Sequence, residues 1–184
     1  MIFLPNKFER FLAALRITIQ NDILKNGITK NNLENLEKIN IAEALFYKDF
    51  KEPVYIKELS FSLLCSSLPL LLSQNKNPYL KIDIYSNFLI NKKLLAILFL
   101  KLIKASKRIE IKNHKSKIMI SALDINSNDF KKLVLALGGT YFYHNKKIII
   151  IIPADKTDKK ANPIKKEWVS LDNPFSLVNI FLNL

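Results

Sequence analysis

Glycine is scarce in this chain of 184 residues, where only Gly27, Gly138 and Gly139 occur. Loops that bind nucleotide phosphates need several glycines, because their backbone must approach the phosphate closely and adopt positive φ angles. None of the common glycine-rich phosphate loops can be written from this sequence. We therefore expect no nucleotide cofactor.

Cysteine and histidine are rarer still. Because Cys65 is the one cysteine, an internal disulfide is excluded. It lies in an apolar segment and is predicted to be a small buried residue. The two histidines, His114 and His144, are flanked by lysines in predicted turns. No spacing typical of zinc ligands can be assembled from these three residues, so we expect no metal site.

Long hydrophobic runs are also missing. The longest uninterrupted ones, such as residues 94–100 and 148–153, are shorter than the roughly 20 residues that a membrane-spanning helix needs. The first five residues do not have the length or the cleavage pattern of a signal peptide. The sequence thus predicts a cytoplasmic protein with no membrane partner.

What the chain does have is positive charge, with 29 basic residues against 16 acidic ones and a formal net charge of +13. Nucleic-acid binding is one interpretation, because clustered basic side chains neutralise phosphates. The candidate cluster is Lys101, Lys104, Lys107, Arg108, Lys112, Lys115 and Lys117. We favour a solvated, compositionally biased surface, since arginine is nearly missing and the chain is also rich in Asn and Ile. Nucleic-acid binding stays the alternative hypothesis.

The first fifty residues predict two helices. An amphipathic helix spans residues 7–25 and ends at Asn26-Gly27, and a second helix runs from about 29–32 to about 50. The predicted core face of the first helix is Phe8, Phe11, Leu12, Leu15 and Ile19, with Arg10, Arg16 and Gln20 away from it. The second helix is apolar on two sides, which is typical of a helix buried between neighbours. Antiparallel hairpins of this kind commonly pair into a four-helix bundle, so we expect a homodimer.

A second module begins at Glu52-Pro53, because the residue before a proline disfavours helix. Its predicted order is a strand at 54–56, a helix at 56–72 with a kink or end at Pro69, a strand at 80–85 and a helix at 91–106. Strands at 108–112 and 117–122, a helix at 129–137 and a strand at 148–153 follow. Residues 155–166 form a charged linker, and 168–184 form an apolar tail that can pack back. The predicted domains are 1–51, 52–154 and 155–184.

This order resembles the core of sensor histidine kinases: a dimerising helical hairpin followed by an α/β sandwich of the Bergerat type. Residues 11–18 (FLAALRIT) look like the family's Phe-Leu-Ala-x-x-Ser-His-Glu segment. Residues 94–105 (LLAILFLKLIKA) look like its Leu-x-x-x-Leu-x-Asn-Leu-x-x-Asn-Ala helix, and Leu137-Gly138-Gly139 with 148–153 matches its final helix, turn and strand. The resemblance implies an α+β fold with the hairpin first and the small sandwich second.

The departures from that family predict the loss of its chemistry. Leu100 and Lys104 stand where the resemblance places asparagines, and an aliphatic side chain cannot coordinate Mg²⁺. Residues 123–126 lead almost directly into the last helix, so the nucleotide lid is missing. A lidless sandwich behind a hairpin resembles histidine phosphotransferases of the ChpT type, which pass phosphate between response regulators without ATP. Kinase activity is not expected.

The phosphoacceptor position predicts that phosphotransfer is lost as well. The resemblance places Ile17 where the family has its histidine, and no histidine precedes His114. An exposed Ile17 has two interpretations. It packs against the second helix or the dimer mate, or it belongs to a partner-docking surface that is retained although phosphotransfer is lost. The predicted docking residues are Arg10, Ala13, Arg16, Ile17, Gln20, Asn21 and Leu24. We expect no catalytic residue and no cofactor, in a degenerate dimer that binds a response regulator.

Overall fold

The computed structural model describes residues 6–123 and 130–183 of the chain. Its first two helices, α1 (Lys7–Asn26) and α2 (Lys30–Phe46), pack against each other as a helical hairpin. The Asn6 side chain accepts a hydrogen bond from the Glu9 backbone N–H while the Glu9 carboxylate accepts one from the Asn6 N–H. This capping box starts α1, and Gly27, with a φ of 85°, ends it.

The α/β sandwich and a C-terminal segment follow the hairpin. The order is β1 (Glu52–Tyr55), α3 (Ile56–Ser73), β2 (Tyr79–Asp83), β3 (Asn87–Ile90), α4 (Lys92–Ala105), β4 (Arg108–His114), β5 (Lys117–Leu123), α5 (Lys131–Ala136), β6 (Thr140–His144), β7 (Lys147–Pro153), β8 (Asp155–Thr157), α6 (Lys166–Val169) and α7 (Leu177–Leu182). The larger sheet has the order β2-β4-β5-β7-β6, in which only β2 and β4 pair in parallel. The smaller sheet, β1-β3-β8, is antiparallel.

One face of the larger sheet is buried. Alternate residues of β4, β5 and β7 point inward, so that Ile111, Ile120 and Ile150 lie side by side across three strands with no exposed surface. The inward residues join a single core with α3, α4, α5, α7 and the hairpin. This strand alternation follows directly from the apolar pattern in the sequence.

Helix α4 is the centre of the helical layer. Ten of its 14 residues are buried, because α2, α3, α5 and α7 all pack against it. The N-cap residue Asn91 accepts a hydrogen bond from the Leu94 N–H, and its side-chain amide donates to the Tyr47 carbonyl at 2.6 Å. The start of α4 therefore holds the end of α2, which ties the hairpin to the sandwich.

The C-terminal segment is integrated into this core. Strand β8 pairs with β3, and the buried Lys92 ammonium donates to the carbonyls of Asn162 and Pro163 at 2.6 and 2.8 Å. Burial lowers the pKa of Lys92, although the charges of Glu52 and Glu58 oppose that effect. All of α7 is buried against α2, α3 and α4. The apolar tail thus packs back, as its sequence suggests.

Several predicted elements need correction. The sequence prediction omits β3 and β6, and it treats as linker the residues that form β8. Helix α2 ends at Phe46 and not near 50, because the chain turns at Lys48 and Asp49 to reach β1. Pro69 lies inside α3 and does not end it. Cys65 is exposed, since α3 buries residues three and four apart on its other side. The predicted start of α5 at Asp129 and the segment that replaces the lid lie outside the described residues.

Helix α3 is the one described helix that is long and apolar enough to cross a membrane by those two criteria alone. Its buried side, which includes Leu59, Leu63 and Leu71, packs against α4 and α7. A buried core helix passes the same criteria, so length and composition alone do not assign α3 to a membrane.

Candidate docking surface

Helix α1 buries a narrow stripe toward α2 and leaves its other sides open. Leu12, Ile19 and Ile23 are its buried residues. Phe8, Phe11 and Leu15, predicted to lie on the core face, are exposed by 40%, 61% and 39%. The predicted face was too wide because α1 packs mainly against one helix of its own chain, and a single neighbour covers only a narrow stripe.

Arg16 lies on the packed side of α1 and not on the side away from it. Its guanidinium donates to the Glu43 carboxylate of α2 at 2.6 Å and to the Asn40 side-chain oxygen at 3.2 Å. The Lys93 ammonium of α4 bonds the same Glu43 carboxylate at 2.6 Å. One acidic side chain therefore joins α1, α2 and α4, a connection that the sequence did not reveal because the three residues are far apart in it.

The electrostatics of Glu43 reflect these contacts. Burial, the largest single effect, raises the pKa of Glu43, but the hydrogen bond and charge of Lys93 together with the charges of Arg16 and Lys165 outweigh it, so the pKa is lowered. Burial lowers the pKa of Lys93, and Glu43 only partly restores it. Glu43 is therefore held as a carboxylate among several cations.

Ile17 is 56% exposed and lines a groove between α1 and the end of α2. The groove has a volume of about 460 Å³ and is lined by Glu9, Leu12, Ala13, Arg16, Ile17, Glu43, Phe46 and Tyr47. Of the seven predicted docking residues it brings together Ala13, Arg16 and Ile17. The other four, Arg10, Gln20, Asn21 and Leu24, lie on α1 outside this groove.

A second cavity of about 310 Å³ adjoins the groove through Glu43 and Tyr47. It is lined by Glu43, Ala44, Tyr47, Phe50, Glu52, Asn91, Lys93, Lys165 and Trp168. The sequence did not identify the aromatic residues Phe46, Tyr47, Phe50 and Trp168 as site residues, since Trp168 lies more than one hundred residues after the other three. We call the two cavities together the junction surface, because they lie where the hairpin meets the sandwich.

The junction surface holds no histidine. Ile17 offers only an aliphatic side chain, while His114 and His144 stand at strand ends of the larger sheet and are exposed. Among the described residues, no group of three or more His, Cys, Asp or Glu side chains is placed to hold a metal ion. The surface is suited to contact through apolar and charged side chains.

The helix that resembles the family's asparagine-bearing one is covered by this chain's own C-terminal segment. Leu100 has no exposed surface, and α7 packs along α4. Lys101 bonds the Glu37 carboxylate and lies 5.7 Å from the centre of the Phe181 ring. Burial lowers the pKa of Lys104, with Glu37 opposing. Neither lysine is placed as a free phosphate contact.

The predicted nucleic-acid cluster is therefore divided by the fold. Lys101 and Lys104 belong to the helical layer, and Lys107 precedes β4. Arg108, Lys112 and Lys117 stand on β4 and β5, and Lys115 lies in the turn between those strands. Basic residues that are close together in the sequence therefore lie on two separate surfaces, because α4 and the larger sheet belong to different layers.

No family model matches the sequence, and no curated protein matches it. Solved structures do match its fold. Acinetobacter baumannii histidine kinase AdeS is similar with 14% identity and a TM-score of 0.51, covering 79% of this chain and 96% of that one. Full-length ShkA, solved in complex with AMPPNP, is similar with 11% identity and a TM-score of 0.55, covering 86% of this chain and 46% of its own. The chain thus has the histidine kinase fold, a helical hairpin followed by an α/β sandwich, as the sequence predicted.

Proposed function

We propose that this chain is a two-component signalling protein that binds the receiver domain of a response regulator through α1 and the junction surface, without carrying phosphate. The fold supports a relationship to this class of protein. The observation that carries the proposal is Ile17, an exposed aliphatic residue in a groove, at the position where the resemblance places the phosphoacceptor histidine.

The junction surface has the composition of a protein-binding site. Its lining is mostly apolar and aromatic, with Ile17, Phe46 and Trp168, and the charged residues Arg16, Lys93 and Glu43 line the same cavities. Aromatic residues and arginine are enriched at the centre of protein interfaces, where a few of them contribute most of the binding energy. The ion pairs with Glu43 hold the Arg16 and Lys93 side chains in place before a partner binds, which lowers the entropy cost of binding.

Phosphotransfer is not part of the proposed function. A phosphoacceptor needs a nucleophilic nitrogen with a pKa near neutrality, and the side chain of Ile17 has no lone pair to offer. The test is incubation with a phosphorylated receiver domain and detection of labelled phosphate on this chain. We expect no label. Transfer to any residue would contradict this part of the proposal and leave the docking part standing.

Docking is tested by Ile17→Asp, which places a charge in the groove. The probes are the purified receiver domains encoded in the same genome, and binding is measured by titration calorimetry. We expect the best-binding receiver to lose at least tenfold in affinity, because an apolar contact is replaced by a desolvated carboxylate. The matched control is Leu72→Asp on α3, since Leu72 is also 56% exposed but lies away from the groove.

An equal loss in both variants, or none in either, would contradict docking at α1. A loss confined to Trp168→Ala would move the site to the second cavity alone. Circular dichroism on each variant keeps a folding defect from being read as a binding defect.

We propose that the protein acts as a homodimer. Phe11, Leu15 and Leu24 leave apolar surface on α1 outside its contact with α2. A second hairpin that covers the Phe11 and Leu15 side would complete a four-helix bundle and leave Ile17 accessible. This assembly accounts for apolar residues that the packing within one chain does not use.

A further inference from the structure

The larger sheet has one face turned away from the helices. In the strand register, the neighbours of its buried isoleucines all point to this side. We call it the open sheet face. It includes Tyr79, Lys81 and Asp83 on β2, Arg108, Glu110 and Lys112 on β4, Lys117, Met119 and Ser121 on β5, Lys147, Ile149 and Ile151 on β7, and Thr140, Phe142 and His144 on β6. All of these side chains are exposed or half-buried.

Positive charge dominates the open sheet face. It carries five basic side chains, Lys81, Arg108, Lys112, Lys117 and Lys147, against the two carboxylates Asp83 and Glu110. Arg108 bonds Glu110 at 2.7 and 3.0 Å, and Asp83 stands opposite Lys112. The Arg108 hydrogen bond lowers the pKa of Glu110, and the charges of Lys112 and Lys147 add to that effect. The remaining lysines complement a polyanion.

An apolar strip crosses the same face between the lysines. Ile149 stands opposite Phe142, and Ile151 stands opposite Met119, so the two pairs lie in adjacent rows. Phe142 is 47% exposed. At the other edge, about 19 Å away across four strand spacings, the Tyr79 ring lies 5.4 Å from the Arg108 guanidinium. One ring thus stands on each edge strand of the sheet, with lysines and the apolar strip on the same face between them.

We propose that the open sheet face binds single-stranded nucleic acid, with the lysines contacting phosphates and Phe142, Met119 and Tyr79 contacting bases. Flat sheets with exposed aromatic rings bind unpaired bases by stacking, and lysines along the same face follow the backbone. A duplex keeps its bases stacked inside, so it could not use Phe142. An acidic peptide would use the lysines but has no row of planar groups for the apolar strip.

This site differs from the lysine run seen in the sequence. It leaves out Lys101 and Lys104, which the helical layer engages, and it adds Lys81, Lys147 and the rings. It shares no residue with the junction surface, so the test of nucleic-acid binding is independent of the test of receiver binding.

The experiment measures the fluorescence anisotropy of labelled 12-nucleotide poly-U and poly-dT strands with the full chain, between 50 and 200 mM salt. With about four phosphate contacts, log affinity against log salt should fall with a slope of about −3, roughly a 60-fold loss over this range. Lys112→Gln with Lys117→Gln should reduce the slope to about −1.5. Phe142→Ala should weaken binding about tenfold with an unchanged slope, because stacking is not ionic.

Matched controls separate the site from general charge. Lys25→Gln with Lys30→Gln removes two exposed lysines of the hairpin, and Phe61→Ala removes a 57% exposed ring of α3. Neither should change affinity more than twofold. Binding of either strand supports the proposal, and the strand with the higher affinity shows whether the site prefers RNA or DNA. No binding at 50 mM salt, a Phe142→Ala variant that binds like the wild type, or equal binding of a duplex or of polyglutamate would overturn it.

Discussion

At the scale of single residues, Glu43 and Gly139 show how much depends on positions that look ordinary in the sequence. Glu43 is one of several acids on α2, yet it is the one that joins Arg16 to Lys93. Gly139 is one of two adjacent glycines, and its special role comes from a backbone that passes close to it.

Glu43→Gln should lower the free energy of unfolding at pH 7 by about 1–2 kcal/mol, because two cations lose their charged partner in a half-buried site. The pKa of Glu43 is lowered in the folded state, so its contribution is complete above the ordinary value of 4.5 and is lost as the pH falls through that value and the folded-state pKa. Urea unfolding at pH 7 and below pH 4 measures this. The variant should differ less from the wild type at the lower pH.

The control for Glu43 is Glu34→Gln, whose exposed partner Lys30 lies 4.0 Å away. It should change stability by less than about 0.5 kcal/mol. An equal effect of both substitutions would show that the bridge to α4 contributes nothing specific.

Gly139→Ala should destabilise the fold by about 1–3 kcal/mol. A Cβ there would lie 2.8 Å from the Ile151 carbonyl oxygen and 3.1 Å from that of Val134. These are backbone atoms that cannot move aside without shifting the turn. Thermal unfolding compared with Ser121→Ala, on the open sheet face, tests this, and a Tm equal to that of the wild type would contradict the close contact.

At the scale of elements, local capping signals explain most of what the sequence predicts. Thr29, Asn91 and Ser176 each accept a backbone hydrogen bond at a helix start, as Asn6 does. After α5 the N–H groups of Gly138 and Gly139 bond the carbonyls of Leu135 and Val134, which is a Schellman ending. Such signals lie within a few residues and are readable without the fold.

Strand β6 was missed although its signal was present. The run Thr-Tyr-Phe-Tyr-His has high strand propensity, and Asn145-Lys146 forms a two-residue turn in which both φ angles are positive, 47° and 60°. Strands β3 and β8 carry weaker signals, because each has three or four residues and exists through pairing with a distant segment.

Helix α7 is short, and its importance comes from what it covers. Phe181→Ala should lower the free energy of unfolding by about 3–5 kcal/mol, since Phe181 is 2% exposed and its loss leaves a cavity against α4. Phe61→Ala, on the exposed side of α3, is the matched control and should cost no more than about 0.5 kcal/mol. Guanidinium unfolding measures both, and similar values would mean that α7 does not close the core.

At the scale of the whole molecule, the hairpin and the sandwich share one hydrophobic core. That core runs from Ile19 on α1 through Leu36 on α2 and α4 to Leu182 on α7. The charged pairs Arg16–Glu43 and Lys101–Glu37 lie at the edges of the same contact. A chain built in this way should hold its hairpin in one orientation relative to the sandwich.

The proposed dimer is tested at this scale. Phe11→Glu with Leu15→Glu should convert a dimer to a monomer while helix content is kept, because both side chains are outside the buried stripe of α1. Analytical ultracentrifugation over a tenfold concentration range measures the mass. Leu135→Glu, on the exposed side of α5, is the control, and a wild-type chain that sediments as a monomer throughout would contradict the assembly.

The order of the main elements, the histidine-kinase-like fold and the absence of a histidine from α1 can be read from the amino-acid sequence, because they depend on local periodicity, caps and residue identity. Four further features follow only from the folded chain: the side of α1 that is buried, the contact of Arg16 and Lys93 with Glu43, the packing of α7 over α4, and the division of the lysines between two layers. Those outcomes depend on contacts between residues far apart in the chain. Such contacts are set by how whole faces pack, and no short segment of the sequence records them.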